Sequence, residues 1–141
     1  MFVGKLIDTN NLLEKALDTE SVRRRVIANN IANVDVPHFK RREVNFESEL
    51  KRVINERKNP DNLLKAKMSD NKHIPFFEPR SLNSVSYRVN HDYSTTYRND
   101  GNNVDIEKEM VDASKNMMRY NSYVAGINHN FRLLKLVIRP M

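Results

Sequence analysis

The longest pattern of apolar positions in the chain runs through residues 104–138. Apolar side chains recur there in alternating steps of four and three, in a row formed by Ile106, Met110, Ala113, Met117, Tyr120, Val124, Ile127, Phe131, Leu134 and Ile138. Such alternation is typical of the a and d positions of a coiled-coil helix. Pro140 ends it, because proline lacks an N–H to donate and clashes with the preceding turn. The row predicts a helix about 51 Å long at 1.5 Å per residue, which needs a partner of matching length.

A second long helix is predicted over residues 6–34 by the same alternation. Its apolar seam positions include Leu13, Leu17, Ile27 and Ile31. Two charged residues, Glu20 and Arg24, occupy the middle of this seam. They either set the pairing register, as polar seam residues do in coiled coils, or extend to water from an imperfect seam.

The end of this helix is rich in asparagine. Val36 precedes Pro37 and is pushed towards an extended conformation, so the helix ends at or before it. Asn29, Asn30 and Asn33 are poor helix formers, but their amides can hydrogen-bond to neighbouring backbone or to another subunit. Fraying before a loop explains the proline and leaves the repeated asparagines unexplained.

Residues 37–103 predict a small irregular module. A short amphipathic helix follows Asn45, a suitable N-cap, with an apolar face formed by Phe46, Leu50, Val53 and Ile54. Residues 74–79 read as an extended segment, because their prolines cannot donate to a central ladder. Alternating residues over 85–89 and 93–97 predict a β-hairpin, and the turn 99–103 leads into the long helix with Asn103 or Asp105 as its cap.

The predicted fold is therefore mainly α. The two long helices pair as an antiparallel coiled-coil hairpin, and the small irregular and β module lies between them in sequence. The predicted boundaries are 1–36 for the N-terminal helix, 37–103 for the middle module and 104–141 for the C-terminal helix.

Composition supports long helices over a large core. Of 141 residues, 39% are apolar, 30% are charged and three are glycine, which suits helices that each bury one stripe. No apolar run reaches the roughly 20 residues of a membrane span. The first five residues lack the charged and apolar regions of a cleavable signal peptide. With no cysteine, disulfides and thiol chemistry are excluded.

No pattern of catalytic, cofactor-binding or metal-ligating residues is present, so we expect no enzyme, no cofactor and no small-molecule substrate. The four histidines are scattered, without a second ligand at metal-binding spacing. Glycine-rich phosphate loops and nucleophile elbows are missing. Glu107, Glu109 and Asp112 begin the long helix, where carboxylates favour its dipole.

The net charge of +6 leaves nucleic acid as an alternative partner. Residues 23–25 are three consecutive arginines, which we interpret as a solvated helix face. A DNA-binding module would add a compact reading helix or a stacking platform, and neither is evident. We therefore expect no nucleic-acid partner.

Residues 28–40 resemble the signature of bacterial flagellar axial proteins, which reads Ala-Asn-Asn-Ile-Ala-Asn, two residues, Thr-Pro-Gly, an aromatic residue and Lys. The matching side chains proposed for assembly are Asn29, Asn30, Ile31, Asn33, Pro37, Phe39 and Lys40. Residues 100–105, 107–110 and 119–121 are similar to the C-terminal motif of proximal-rod members of that family. Val36 replaces the usual Thr and His38 the usual Gly, so the turn is expected to differ locally.

The resemblance implies a structural subunit of the proximal rod of the flagellum, in the periplasmic space. It further implies export through the flagellar type III apparatus without signal cleavage, and assembly with FliE, FlgC and further copies of the chain. Phe2 and Leu6 match a hydrophobic spacing proposed for recognition at the export gate, and packing of Leu6 in the seam is the competing interpretation. The alternative function is a self-associating coiled-coil adaptor unrelated to flagella.

Overall fold

The fold is given by a computed structural model, which describes residues 2–58, 70, 72, 80–94 and 98–138. Its elements in chain order are helix α1 (Phe2–Ala32), strand β1 (Arg42–Asn45), helix α2 (Glu47–Lys58), a 3₁₀ turn (Leu82–Ser84), strand β2 (Arg88–His91) and helix α3 (Ile106–Ile138). The chain divides into two compact units, Met1–Val44 with Arg88–Met141, and Asn45–Tyr87. The first is called the hairpin unit below. The predicted mainly α fold with long paired terminal helices is confirmed.

Helices α1 and α3 pack side by side and run antiparallel. Asn130, near the end of α3, donates to the side chain of Asn10, near the start of α1, at 2.7 Å. At the opposite end of the hairpin, Asn30 donates to Glu109 at 3.2 Å. These contacts pair the start of each helix with the end of the other. The antiparallel direction of the predicted hairpin follows from them.

Part of the predicted apolar row of α3 faces α1. Ala113, Val124, Ile127 and Leu134 are half-buried, whereas Ile106, Met110, Met117, Tyr120, Phe131 and Ile138 are exposed. The buried positions of α3 are instead polar, Glu109 and Asn116, each one residue before a methionine of the row. The helix is thus turned so that polar side chains face α1 and six of the ten positions of the apolar row are exposed. The role of the whole row as a coiled-coil seam stays a prediction for the assembled state.

The apolar seam positions predicted for α1 are all at least half-buried, whereas the seam residue Arg24 is exposed. Ile27 is buried, and Leu13, Leu17 and Ile31 are half-buried. A Cβ added at Gly126 of α3 would lie 3.5 Å from the Leu13 side chain, an ordinary van der Waals distance. The two helices can therefore approach each other closely at Leu13 and Gly126.

Local signals set the start of α3. The Asp105 side chain accepts hydrogen bonds from the backbone N–H groups of Glu107 at 3.0 Å and Lys108 at 3.2 Å. It thereby satisfies two of the four donors that a helix start leaves open. Of the two predicted caps, Asp105 serves as the N-cap, which leaves the Asn103 amide available for other partners.

Strand β2 differs from the predicted hairpin. It pairs with β1, 43 or more residues earlier, in a two-stranded sheet, and includes Asn90 and His91 where a turn was predicted. Alternation identified the strand but not its partner, because periodicity carries no pairing information. Residues 95–97 of the predicted second strand, and the predicted extended segment 74–79, lie outside the described residues.

The smaller unit is built on α2. Phe46 and Val53, from the predicted apolar face, are buried together with Val85. Leu50 and Ile54 of that face are half-buried. On its polar side, Arg52 pairs with Glu49 at 3.4 Å and with Glu56 at 3.6 Å. Among the described helices of both units, none has the length and hydropathy to cross a membrane.

Candidate assembly site

A group of buried polar side chains joins the end of α1 to the start of α3, at the opposite end of the hairpin unit from the contact between Asn10 and Asn130. It is formed by Asn30 at the end of α1, Arg41 before β1, Asn102 and Asn103 before α3, and Glu109 in the first turns of α3. We call these five residues the polar clasp. Buried polar groups are costly unless they are hydrogen-bonded, so their partners decide whether the clasp stabilises the fold.

Asn30 is fully buried and uses both ends of its amide. Its Oδ1 accepts the Arg42 backbone N–H at 3.0 Å, and its Nδ2 donates to the Arg42 carbonyl at 2.9 Å. Nδ2 also donates to Glu109 Oε2 at 3.2 Å. A single side chain thus fastens the end of α1 both to the first residue of β1 and to α3.

Glu109 is 0% exposed and its charge is compensated by Arg41. The Arg41 Nε donates to Glu109 Oε1, while its other nitrogens lie 3.3 Å from Glu43 and 3.4 Å from Asp112. Burial alone would lower the pKa of Arg41, but the hydrogen bond and charge of Glu109, helped by Glu43 and Asp112, outweigh it and raise the pKa above its ordinary value. The guanidinium is therefore a permanent cation in the clasp.

Asn102 holds the turn that follows α1. Its Nδ2 lies within 2.9 to 3.0 Å of three carbonyl oxygens, those of Asn33, Val34 and Val36. All three follow Ala32, the last residue of α1, so the turn and not the helix itself is fastened by this amide. Its Oδ1 accepts the Val104 N–H at 2.8 Å, which also fixes the approach to α3.

Asn103 fastens the two segments that flank the sheet. Its Oδ1 accepts the Arg41 backbone N–H at 2.7 Å, and its Nδ2 donates to the Asp92 carbonyl at 2.7 Å. The Asp92 N–H in turn donates to the Arg41 carbonyl at 2.8 Å. The backbone on both sides of the β1–β2 pair is thereby held beside the clasp.

His38 takes the conformation that glycine would favour. Its φ is 59°, the one positive φ at a non-glycine residue in the described part, and it faces Gly101, whose φ is 79°. A Cβ on Gly101 would lie 2.9 Å from the His38 Nδ1, so the absence of a side chain there makes room for the imidazole. The His38 N–H donates to the Asp100 carbonyl at 3.1 Å. The backbone at His38 keeps the left-handed conformation of a glycine turn. The predicted local difference therefore concerns only the His38 side chain.

The predicted signature residues fall into two groups. Asn30 lies in the clasp and Lys40 beside it, where its Nζ donates to the Gly101 carbonyl at 2.8 Å. The Asn33 side chain only bonds locally, to the Asn29 carbonyl at 2.6 Å, and Asn29 and Pro37 are exposed. Ile31 and Phe39 are half-buried. The assembly role of the set stays a prediction.

Four clasp residues were absent from the predicted sites: Arg41, Asn102, Asn103 and Glu109. Glu109 was interpreted as a dipole partner, and the asparagine pair as part of a turn. A signal was present, because Asn102-Asn103 lies directly before a helix that already has Asp105 as its cap. For the export spacing, Leu6 is buried in the hairpin unit, and the side chain of Phe2 is outside what the structure describes.

The clasp offers no reactive centre. Its acid, its cation and its amides are all used by one another or by backbone, and within the described ranges no group of three histidine or acidic side chains is placed to hold a metal ion. The clasp holds the backbone near residues 30, 41, 103 and 109 together. Its role in the fold is structural.

Known proteins match this chain over nearly its full length. A sequence model described as "Flagella basal body rod protein" matches residues 11–40. The flagellar basal body rod protein FlgB of Borrelia hermsii is 38% identical over 130 residues, 92% of this chain and 94% of that protein. FlgB of Bacillus subtilis is 33% identical, with 89% of each chain covered, and FlgB of Escherichia coli is 27% identical with the same coverage. The chain belongs to the FlgB family of flagellar basal body rod proteins.

As an FlgB-family member, the chain is a structural subunit of the rod of the flagellar basal body. The predicted family is thus confirmed. The part matched by the family model ends at Lys40 and includes Asn30 of the clasp. The other clasp residues lie in the parts of the chain that only the full-length FlgB relatives cover.

Proposed function

We propose that this chain is a non-enzymatic subunit of the proximal rod, which passes through the flagellar type III apparatus without signal cleavage and assembles in the periplasmic space with FliE, FlgC and further copies of itself. The observation that carries the proposal is the polar clasp. It joins segments about 80 residues apart in sequence, so it closes only after the end of α1 and the start of α3 have both been delivered.

Polar contacts along the interface support a hairpin that is specific in alignment and modest in stability. Asn30 with Glu109, Glu20 with Asn116, and Asn10 with Asn130 form three cross-helix hydrogen bonds. Each such bond contributes about 0.5–1.5 kcal/mol net, less than burying a large apolar side chain would. A hairpin of this kind suits a chain that is threaded unfolded and orders where it is incorporated.

Fractionation of purified hook–basal bodies from the source bacterium tests the proposal. We expect the chain in the rod fraction, with residues near its start still present by mass spectrometry, and we expect it to stay in the cytoplasm when the type III export gate is deleted. Cross-linking should connect it with FliE or FlgC. Recovery of the chain only in non-flagellar fractions, or export that continues without the gate, would contradict the proposal.

A further inference from the structure

One face of the hairpin unit carries two rows of side chains, each with a spacing of seven residues. The row on α1 consists of Ile7, Glu14, Ser21 and Ala28, all exposed. The row on α3 consists of Met110, Met117, Val124, Phe131 and Ile138. Met110 is 61% and Met117 67% exposed, although a seven-residue apolar repeat is the pattern by which one helix packs on another.

Between the two rows lies a groove of about 590 Å³. Its apolar lining consists of Ile27, Ala28, Ile31, Ala113, Met117 and Tyr120. The groove lies between two helices that pack side by side, and an exposed heptad row borders it. An apolar groove of this form is suited to bind a third helix. The groove is open to solvent on the surface of the hairpin unit.

Two opposite charges on this face have no ion pair among the described residues. Arg24 lies in the groove lining, and neither it nor Glu14 has an ion pair within the part of the chain that the structure describes. They cannot pair with each other in one chain, because ten residues of helix separate them by about 15 Å. The nearby Glu20 is already engaged by Arg23 and Asn116.

We propose that the groove receives the N-terminal half of α1 from a second copy, with Glu14 of that copy paired with Arg24. The proposal rests on the proposed function, since it concerns how rod subunits associate. The exposed apolar row of α3 would be a poorer occupant, because it has no charge to offer Arg24. The N-terminal half of α1 presents both a carboxylate and an apolar residue, Ile7, on one exposed row.

The apolar contacts fit either direction of the second helix. Arg24 belongs to the α1 line that also contains Leu17 and Ile31, seven residues before and after it. With Glu14 of the second copy beside Arg24, its Ile7 lies against Ile31 of the groove lining if the helices are antiparallel, and against Leu17, beyond that lining, if they are parallel. Ser21 of the second copy, a small side chain, takes the remaining position.

Charge reversal tests the pairing in cells whose own gene is replaced by the variant. Arg24→Glu alone and Glu14→Arg alone should each lower the amount of chain in basal bodies, by about tenfold or more, because like charges would meet at the interface. The double variant should restore it, while secretion stays constant in all three. Arg25→Glu, exposed and outside the groove, is the matched control and should assemble normally.

Cysteine cross-linking identifies the occupant directly, since the chain has no cysteine of its own. Oxidised basal bodies that carry Glu14→Cys with Arg24→Cys should yield dimers, whereas the pair Glu14→Cys with Arg25→Cys should yield few. A disulfide within one chain is excluded, because it needs Cα atoms about 4.4–6.8 Å apart.

Three results overturn the inference. These are single reversals without effect, single reversals that the double variant does not rescue, and a cysteine pair that fails to cross-link in assembled basal bodies. The proposed function is unaffected by any of them, provided that the unmodified chain is found in the rod. If the unmodified chain is missing from the rod, the proposed function itself is contradicted.

Discussion

Glu109 and Arg41 show how much one buried pair contributes to the closure of the chain. Glu109→Ala should lower the free energy of unfolding by about 3–5 kcal/mol, because it leaves the buried Arg41 cation without its main partner. The measurement is denaturant unfolding of the purified chain followed by circular dichroism, together with the amount of variant in basal bodies. Glu107→Ala, at an exposed position two residues earlier, is the control.

The raised pKa of Arg41 predicts how this contribution depends on pH. A group whose pKa is higher in the folded than in the unfolded state contributes stability that is fully present below its ordinary pKa and is lost only as the pH rises through the raised value. We therefore expect no loss of clasp stability from Arg41 between about pH 7 and pH 10. If the free energy of unfolding fell between about pH 7 and pH 10, and if Arg41→Lys abolished that fall, this assignment would be contradicted.

The contact between His38 and Gly101 predicts an asymmetric pair of substitutions. Gly101→Ala combines a φ of 79° with a Cβ 2.9 Å from the imidazole and should cost at least about 1–2 kcal/mol in the free energy of unfolding. His38→Gly removes the energetic cost of a left-handed conformation at a non-glycine residue. Part of this gain in stability is offset, because glycine has more conformational freedom in the unfolded chain. Gly4→Ala, where nothing lies within 4 Å of the added Cβ, is the control for thermal unfolding.

At the scale of the helices, Glu20 and Asn116 specify how α1 and α3 align. Asn116→Leu alone should destabilise the hairpin, because the buried Glu20 loses a donor. Replacing both residues by leucine should recover stability relative to Asn116→Leu alone, because the buried carboxylate is removed together with its donor, and should weaken the alignment, as removal of polar seam residues does in coiled coils. Distance measurement between spin labels at residues 14 and 125 would detect the weaker alignment as a broader distribution. A narrow distribution in the double variant would contradict the register role.

The apolar row of α3 supports a second prediction at this scale. Val124→Asp or Ile127→Asp places an unpaired charge at a half-buried position and should cost several kcal/mol, about 2 or more. Incorporation into the rod should be abolished while secretion continues, because the proposed export threads the chain before the hairpin has folded. Ser122→Asp, on an exposed position of the same helix, should assemble normally. Normal rods from the Val124→Asp variant would show that the row is not a seam.

The whole chain is expected to gain order on assembly. Its hairpin interface is partly polar, and six of the ten positions of the apolar row on α3 are exposed, so the isolated chain buries less than its length would allow. We predict that the terminal helices are partly disordered in dilute solution and become protected in the rod. Amide exchange measures this, and strong protection of residues 106–138 in a verified monomer would be the contrary result.

Sequence reasoning was most reliable where local chemistry decides. Seven-residue repetition predicted both long helices, Pro37 and Asp105 predicted an end and a start, and the match over residues 28–40 indicated the family. It failed where distant residues meet, as with β2, whose partner is β1. It also failed for Glu109, since a carboxylate in a first helical turn has the same sequence pattern whether it faces solvent or a buried arginine.

The sequence by itself determined the lengths of α1 and α3, their apolar rows and their family, because periodicity and capping are properties of neighbouring residues. The tertiary structure alone decided which row faces the partner helix. A rotation of about 100° per residue separates Met117 from Asn116, so a shift of one position buries an amide and exposes a thioether. That choice depends on Asn30, Arg41 and Glu20 being satisfied across the interface, a condition that no local pattern contains.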